Sequence, residues 1–142
     1  MTIKAAKAII TVKNNYLLQL RDNKKNIYFP NFWGLFGGCL NKNEKYNKAI
    51  EREIKEETNL NIKVIRRILS VNFNIIGLKQ RRNIIYFECK ILDESKIILS
   101  EGQRYKFFSF NQIKKLNKVV PMDFVAINSL NHKKKNFTSL SR

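Results

Sequence analysis

Cysteine, histidine, proline and glycine are all scarce in this sequence of 142 residues. The two cysteines, Cys39 and Cys89, lie far apart without CxxC spacing, which excludes a disulfide framework and a cysteine-based zinc site. Reduced thiols are normal in the cytoplasm, which is therefore the expected location. The one histidine, His132, lies in a basic segment near the C-terminus, which excludes a nucleophile arrangement of the Ser/His/Asp or Cys/His type.

Long apolar stretches are also absent. No run approaches the ~20 residues that cross a bilayer, and the N-terminal MTIKAAKAIITV lacks the apolar core and cleavage site of a secretory signal. With 44% hydrophobic and 27% charged residues, the composition is that of an ordinary globular protein. The length indicates a single domain over residues 1–142, in which residues 132–142 are expected to form a flexible basic tail.

Acidic residues are few: 11 Asp and Glu stand against 28 Lys and Arg, for a net charge of +17. A charge of this size raises the question of a nucleic-acid partner. The lysines are spread along the chain, however, and the abundance of Lys, Asn and Ile indicates a compositional drift. We therefore interpret the charge as mainly compositional, with RNA a possible but not favoured partner and no membrane partner expected.

Five of the 11 carboxylates fall within residues 37–60, GGCLNKNEKYNKAIEREIKEETNL. Good helix formers from Lys45 to Thr58 predict a helix there. At about 100° per residue, Glu53, Glu56 and Glu57 share the face of the apolar residues in earlier turns. Carboxylates so placed repel one another, oppose the helix dipole and lose hydration. Bound Mg²⁺ or Mn²⁺ would offset all three costs, whereas the alternative is a solvated acidic face that balances a basic protein.

The spacing around these carboxylates follows a known pattern. It reads Gly38, five residues, Glu44, seven residues, and then Arg52-Glu53-Ile54-Lys55-Glu56-Glu57-Thr58-Asn59-Leu60. This stretch resembles the Nudix box, Gx5Ex7REUxEExGU, in which U is apolar. Only Asn59 departs from it, in place of a glycine that would end the helix in a left-handed conformation, where Asn is the next most tolerant residue. The resemblance extends upstream through Trp33-Gly34-Leu35-Phe36-Gly37, although many members have proline where Phe36 stands.

The resemblance implies an α/β (α+β) fold, in which a mixed β-sheet is sandwiched between helices. It also implies a metal-dependent enzyme that hydrolyses a nucleoside diphosphate linked to another group X. In the family the first box glycine supplies a carbonyl ligand to the metal, here that of Gly38. The box glutamates, here Glu53, Glu56 and Glu57, supply carboxylates. The oligomeric state is left open, with a homodimer possible.

Four further residues receive roles from the resemblance. Glu44 and Arg52 would hold the loop and the helix together rather than take part in the chemistry. Arg21, at the end of the second strand, is a candidate phosphate contact, and the alternative is a solvated strand end. Glu101, in a glycine-containing segment before a strand, is a candidate fourth metal ligand or general base, and the alternative is a turn carboxylate. The base is either Glu101 or one of the three metal-binding glutamates, and the sequence does not choose between them.

The sequence indicates the type of reaction more closely than it indicates the substrate. A nucleoside triphosphate and a nucleotide sugar both satisfy the box, because it specifies the pyrophosphate and not the group X. Removal of pyrophosphate from RNA 5′ ends is an alternative that the basic composition would suit. A module that binds nucleotides or RNA without turnover is another, although a pure binder has no need to keep three carboxylates together.

The remaining segments alternate between β-rich runs and turns. Gly77–Gln80 is predicted as a turn, and the helix opened by Pro121 is expected to end near Leu130. We predict strands over residues 5–12, 16–20, 33–35, 83–92 and 105–110, a strand or a strand pair over 62–76, and a short helix over 111–116.

Overall fold

The computed structural model describes residues 2–75 and 80–140 of the chain. These residues form a seven-stranded sheet and three helices, in an order close to the one predicted from the sequence. In chain order the elements are β1 (Thr2–Val12), β2 (Asn15–Leu20), β3 (Trp33–Gly34), β4 (Phe36–Cys39), α1 (Tyr46–Thr58), β5 (Ile62–Ile75), β6 (Gln80–Ile91), β7 (Arg104–Phe108), α2 (Phe110–Lys114) and α3 (Pro121–Leu140).

The sheet is mixed. Its main path runs β3-β2-β1-β6-β5, while β4 pairs with β1 and β7 pairs with β2. Strands β1 and β6 are parallel, and the other pairs are antiparallel. Pairing of β4 with β1 sets Gly37 opposite Lys7 and Gly38 opposite Ala6, so the start of the box is anchored to the centre of the sheet.

Alternation along β1 sends side chains into two cores. Ile9 belongs to the core under α3, and Ile10 belongs to the core under α1. Helix α1 contributes Ile50 and Ile54 to its core, both fully buried, and each such side chain stabilises the fold by about 1.5–3 kcal/mol. Helices therefore cover both faces of a mixed sheet, which confirms the predicted α/β/α sandwich.

The ends of β1, β6, β7 and α2 lie within three residues of the predicted ones, and two other differences concern the C-terminal tail and the turn before β6. Helix α3 continues to Leu140 instead of ending near Leu130, so residues 132–140 of the predicted flexible tail are helical. Lys134 contributes to this, since its Nζ lies 3.3 Å from Thr11 Oγ1 and 3.9 Å from Glu88 Oε2. Of the predicted turn at Gly77–Gln80, residues 77–79 lie outside the described residues and Gln80 begins β6. Within the described ranges no helix, α3 included, is long and apolar enough to cross a bilayer.

Candidate active site

Helix α1 carries the box glutamates and ends as the sequence predicts. Asn59 follows its last residue in the left-handed conformation, with φ of 69° and ψ of 3°. The Asn59 amide donates to the Lys55 carbonyl at 3.0 Å, and its side chain donates to the Lys96 carbonyl at 3.2 Å. Asparagine thus performs the capping role of the glycine it replaces, and it also fastens the helix end to the connection between β6 and β7.

Glu57 is the buried carboxylate of the site. Its residue is 9% exposed, and the Gly37 amide donates to its Oε2 at 3.3 Å. Burial raises the pKa of Glu57 to about 8, and the charge of Glu53 and then that of Glu101 add to the increase, while the Gly37 amide opposes it. Ionisation of Glu57 in the folded protein therefore requires more free energy than in water when no cation is bound.

Glu53 lies directly against the backbone at Gly38. A Cβ at Gly38 would stand 2.4 Å from the carboxyl carbon of Glu53, so any larger residue would displace that side chain. Gly37 and Gly38 belong to strand β4 and form no tight turn. Their lack of side chains instead lets the strand approach both β1 and the glutamates of α1, which brings Gly38 and Glu53 together as the box implies.

Arg52 connects the helix to the loop that precedes it. Its guanidinium donates to both oxygens of Glu44, at 2.9 and 2.8 Å, and to the Cys39 carbonyl at 3.1 Å. These hydrogen bonds lower the pKa of Glu44 to about 2, with the Asn41 amide as a second cause. The geometry agrees with the predicted structural role for Glu44 and Arg52.

Arg52 also binds two of the glutamates at the C-terminal end of α1. One guanidinium nitrogen donates to Glu53 at 3.0 Å and to Glu56 at 3.1 Å. The Glu56 side chain is 58% exposed, whereas that of Glu53 is 16% exposed. In residues 2–75 and 80–140 no group of three or more His, Cys, Asp or Glu side chains is arranged to hold a metal ion. The structure thus brings Glu53 and Glu57 together, and one Arg52 nitrogen connects Glu53 to the more exposed Glu56.

A cleft of about 320 Å³ opens beside Glu57. Arg21 and Glu101, both predicted from outside the box, line it. Arg21 Nε donates to the Tyr28 carbonyl at 2.9 Å, which holds the guanidinium at the end of β2. The cleft therefore places a cation and a further carboxylate beside the buried Glu57.

Two cleft residues escaped the sequence analysis. Gln19 is buried in β2 and donates to the Leu35 carbonyl at 3.3 Å, and Asp22 accepts from the Gly102 amide at 3.3 Å. Gln19 reads as an ordinary strand residue in the sequence, and Asp22 lies in a segment that reads as a charged loop. Only the pairing of β2 with β7 brings these positions to Gly102 and the cleft.

A buried ion pair on the other face of the sheet was also missed. Asp123, fully buried at the start of α3, accepts from Lys7 Nζ at 2.8 Å, from the Tyr86 hydroxyl at 2.8 Å and from the Leu35 amide at 2.9 Å. The available signal was a lysine inside the apolar run of β1 and a carboxylate in the first turn of a helix. Asp123 thereby ties α3 to the segment between β3 and β4.

The donor set of the site fits a divalent cation. Two carboxylates, Glu53 and Glu57, are close enough for one to raise the pKa of the other, and no cation bonds to Glu57 within the described part of the chain. Hard oxygen donors such as these carboxylates are what Mg²⁺ and Mn²⁺ prefer.

The raised pKa of Glu57 predicts a pH-dependent stability. Between about pH 4.5 and pH 8 the folded protein holds a proton that the unfolded chain releases, so the metal-free protein should lose stability as the pH rises through this window. The thermal midpoint in EDTA, measured at intervals from pH 5 to pH 9, checks this. The Glu57→Gln variant should show a flatter profile, and an identical decline in both proteins would contradict the assignment.

The comparisons with known proteins agree with this architecture. The model of the NUDIX domain matches residues 1–127. The chain is similar to the MutT protein of Methanosarcina mazei Go1, with a TM-score of 0.76, 22% identity and 95% of each chain covered. It is also similar to a NUDIX hydrolase from Nitrosomonas europaea, with a TM-score of 0.79, 17% identity, and 94% of this chain and 91% of that chain covered.

A third similar structure is a bifunctional NMN adenylyltransferase/ADP ribose pyrophosphatase from Francisella tularensis, complexed with AMP and a Mn ion. Its TM-score is 0.69 and its identity 21%, with 94% of this chain and 42% of that chain covered. At these identities the structural likeness shows the fold alone. No curated protein matches the sequence. The family model covers nearly the whole chain, and the chain therefore belongs to the NUDIX family, whose activity is the pyrophosphohydrolysis that the box predicted.

Proposed function

We propose that the chain is a Mg²⁺-dependent pyrophosphohydrolase, with Mn²⁺ as a possible substitute, that cleaves the pyrophosphate linkage of a nucleoside triphosphate or a nucleotide sugar. The observation that carries this proposal is the buried Glu57 beside Glu53, at a cleft also lined by Arg21 and Glu101. Nudix hydrolases generally use divalent metals. The Francisella neighbour was solved with a nucleotide and a manganese ion, the kinds of ligand that the proposal requires.

The carboxylates of Glu53, Glu56 and Glu57 and the Gly38 carbonyl are the groups that would hold the cation. Glu56 would take part, since Glu53 and Glu56 accept hydrogen bonds from the same Arg52 nitrogen, at 3.0 and 3.1 Å, and each keeps a second carboxylate oxygen for a cation. A cation held there would neutralise phosphoryl oxygens and lower the pKa of a bound water. Arg52 keeps the Glu53 carboxylate oriented, since it binds Glu53 and the Cys39 carbonyl at the end of β4 at once.

The chain's own residues would then bind the substrate and accept the proton. Arg21 lines the cleft as a cation and would pair with a phosphate of the substrate. Glu101, on the same cleft, is the candidate general base, and one of Glu53, Glu56 or Glu57 is the alternative. A volume of about 320 Å³ lies at the lower end of the range for small-molecule pockets, which suits a single nucleotide.

Glu101→Gln tests the assignment of the base. We expect kcat to fall by about two orders of magnitude, because the amide cannot accept the proton, while Mg²⁺ affinity stays unchanged. Steady-state kinetics and a Mg²⁺ titration by calorimetry measure the two quantities. Glu94→Gln, an exposed change in the same connection between β6 and β7, is the matched control and should leave both unchanged. An unchanged kcat in Glu101→Gln would dismiss the base assignment, and lost Mg²⁺ binding would make Glu101 a ligand instead.

A substrate panel tests the function itself. The panel comprises nucleoside triphosphates, dinucleoside polyphosphates, nucleotide sugars and triphosphorylated RNA, each with Mg²⁺ and Mn²⁺, and released phosphate or pyrophosphate is measured. Turnover of a small nucleotide supports the proposal. Turnover of the RNA alone would favour a 5′-pyrophosphohydrolase. Binding of nucleotides without any turnover would favour a non-catalytic module.

A further inference from the structure

A second cleft opens beside the edge strand β7 and shares no lining residue with the first. It measures about 350 Å³. Its lining combines aromatic rings with cations and contains no carboxylate: Trp33, Arg104, Tyr105, Lys106, Phe108 and Leu116. The reaction proposed above gives this cleft no role.

Cations lie over the aromatic rings in and beside this cleft. The Arg104 guanidinium is 5.5 Å from the centre of the Trp33 ring, and Lys106 Nζ is 5.2 Å from that of Phe108. Trp33 and Phe108 pack edge to face, with ring centres 4.8 Å apart. In helix α2, which follows β7, Lys114 Nζ lies 5.4 Å from the ring centre of Phe110. We call these three ring and cation pairs the basic aromatic face.

The positive charge of this face is not balanced by neighbouring carboxylates. After Glu101 the sequence contains nine Lys and Arg but only one acidic residue, Asp123, which is fully buried and paired with Lys7. Elsewhere, Arg52 and Arg66 bind carboxylates at 3.1 Å or less. Among the described residues none of the cations of the basic aromatic face makes such an ion pair, although all three are exposed.

This distribution changes the interpretation of the net charge. A drift toward lysine spreads cations along the chain, which is what the sequence shows. Residues 58–87 likewise contain six Lys and Arg and no acidic residue, so the feature that drift does not explain here is the placement of three cations over aromatic rings in and beside one cleft. Like charges held near one another without partners destabilise the folded protein, so an anionic ligand is the straightforward source of compensation.

We infer that the basic aromatic face binds single-stranded nucleic acid. Phosphates would pair with Arg104, Lys106 and Lys114, and an unstacked base would lie against Trp33 in the cleft. Stacking on aromatic side chains combined with a basic groove is the general way in which single strands are bound without sequence preference. A duplex would bind more weakly, because its bases stay stacked inside the helix and cannot contact Trp33. A polyanion without bases could bind only to the cations of the face.

Trp33 provides the readout, because it is the only tryptophan of the chain. The probe is a single-stranded RNA of about twelve nucleotides with a 5′ hydroxyl, within the length range of single-strand sites. The titration is made in EDTA at about 50 mM salt, so that neither a metal nor a 5′ phosphate can engage the proposed hydrolase site. We expect the RNA to quench the emission of Trp33. Heparin, compared at the same fraction of protein bound, should quench it clearly less. Equal quenching by heparin, or binding of RNA without quenching, would overturn the stacking contact.

The double variant Arg104→Gln, Lys106→Gln tests the location. We expect at least about tenfold weaker RNA binding at about 50 mM salt, and a slope of log K against log salt that is shallower by about 1.4, which corresponds to two lost phosphate contacts at about 0.7 each. The matched control is Lys63→Gln, Lys90→Gln, which removes the same charge from an exposed cross-strand pair of β5 and β6. The control should weaken binding by less than about threefold.

Equal loss in the two double variants would show that net charge alone attracts RNA, and would overturn the inference. Thermal midpoints of both variants establish that they are folded, and Lys114→Gln supplies a single change on the same face that should also weaken binding. Tighter binding of a duplex than of the single strand would likewise refute the assignment. The outcome is independent of the substrate panel, because this probe contains no pyrophosphate.

Discussion

Replacing Glu57 by Gln is expected to lower Mg²⁺-dependent turnover by at least about two to three orders of magnitude, because the neutral amide cannot balance the charge of a bound cation. The fold should persist, since glutamine has the same shape and its carbonyl can accept the Gly37 amide that now donates to Oε2 at 3.3 Å. The pKa of Glu57 is raised to about 8, so this carboxyl is mostly protonated at neutral pH in the metal-free protein. A neutral glutamine in its place should therefore change the stability of the metal-free protein little. Steady-state kinetics on the best substrate and thermal midpoints in EDTA measure both effects.

Glu51→Gln is the matched control for this experiment. Glu51 lies on the same helix and is paired only with Lys48, at 3.6 Å, among the ion pairs of the described residues. The turnover of Glu51→Gln should remain within about twofold of that of the unchanged protein. Its free energy of unfolding should remain within about 0.5 kcal/mol. Near-normal Mg²⁺-dependent turnover in Glu57→Gln would refute the role given to Glu57.

Asp123→Ala is expected to lower the free energy of unfolding by about 3–5 kcal/mol. The substitution removes the acceptor of the Lys7 ammonium, the Tyr86 hydroxyl and the Leu35 amide, and leaves the lysine charge part-buried without a partner. Its effect on stability should exceed that of any surface change proposed above. Urea unfolding of the metal-free protein, followed by circular dichroism, gives the difference.

A second substitution at Asp123 and a control at another aspartate separate the loss of charge from the loss of hydrogen bonds. Asp123→Asn keeps an acceptor for the Leu35 amide and should cost less than the alanine variant. Asp93→Ala removes an exposed aspartate whose hydrogen bonds are to Asn61 and Ser95, and should change stability by no more than about 0.5 kcal/mol. An unfolding midpoint of Asp123→Ala equal to that of the unchanged protein would contradict the account of this buried network.

Local patterns in the sequence were sufficient for the parts of the fold that depend on near neighbours. Propensity, spacing and capping within a few residues were enough to predict three features: the helix from Tyr46 to Thr58, its left-handed end at Asn59, and strand β5. The box spacing also identified Glu53 and Glu57 as partners, because they are four residues apart on one helix face.

Contacts between distant segments could not be predicted in this way. Lys7 and Asp123 are separated by 116 positions, and nothing near either residue indicates the other. The end of α3 was missed for a similar reason, since Lys134 is held by Thr11 and Glu88, which lie on other elements.

Glu56 shows a different limit of sequence reasoning. Helical geometry puts it on the face of Glu53 and Glu57, but four residues earlier the same helix carries Arg52. Glu56 forms an i, i+4 ion pair with Arg52 at 3.1 Å and its side chain is 58% exposed, whereas the Glu53 side chain, on the same Arg52 nitrogen, is 16% exposed. The spacing of the carboxylates predicts their proximity, but it does not predict how exposed each side chain is.

The position of a divalent cation is the most direct test of the central claim. Crystals soaked in Mn²⁺ and measured near the manganese absorption edge locate the ion by its anomalous scattering. The account predicts a peak within about 2.5 Å of the Glu53 and Glu57 carboxylates and the Gly38 carbonyl. A manganese ion bound elsewhere, or no ion under conditions that support full turnover, would contradict it.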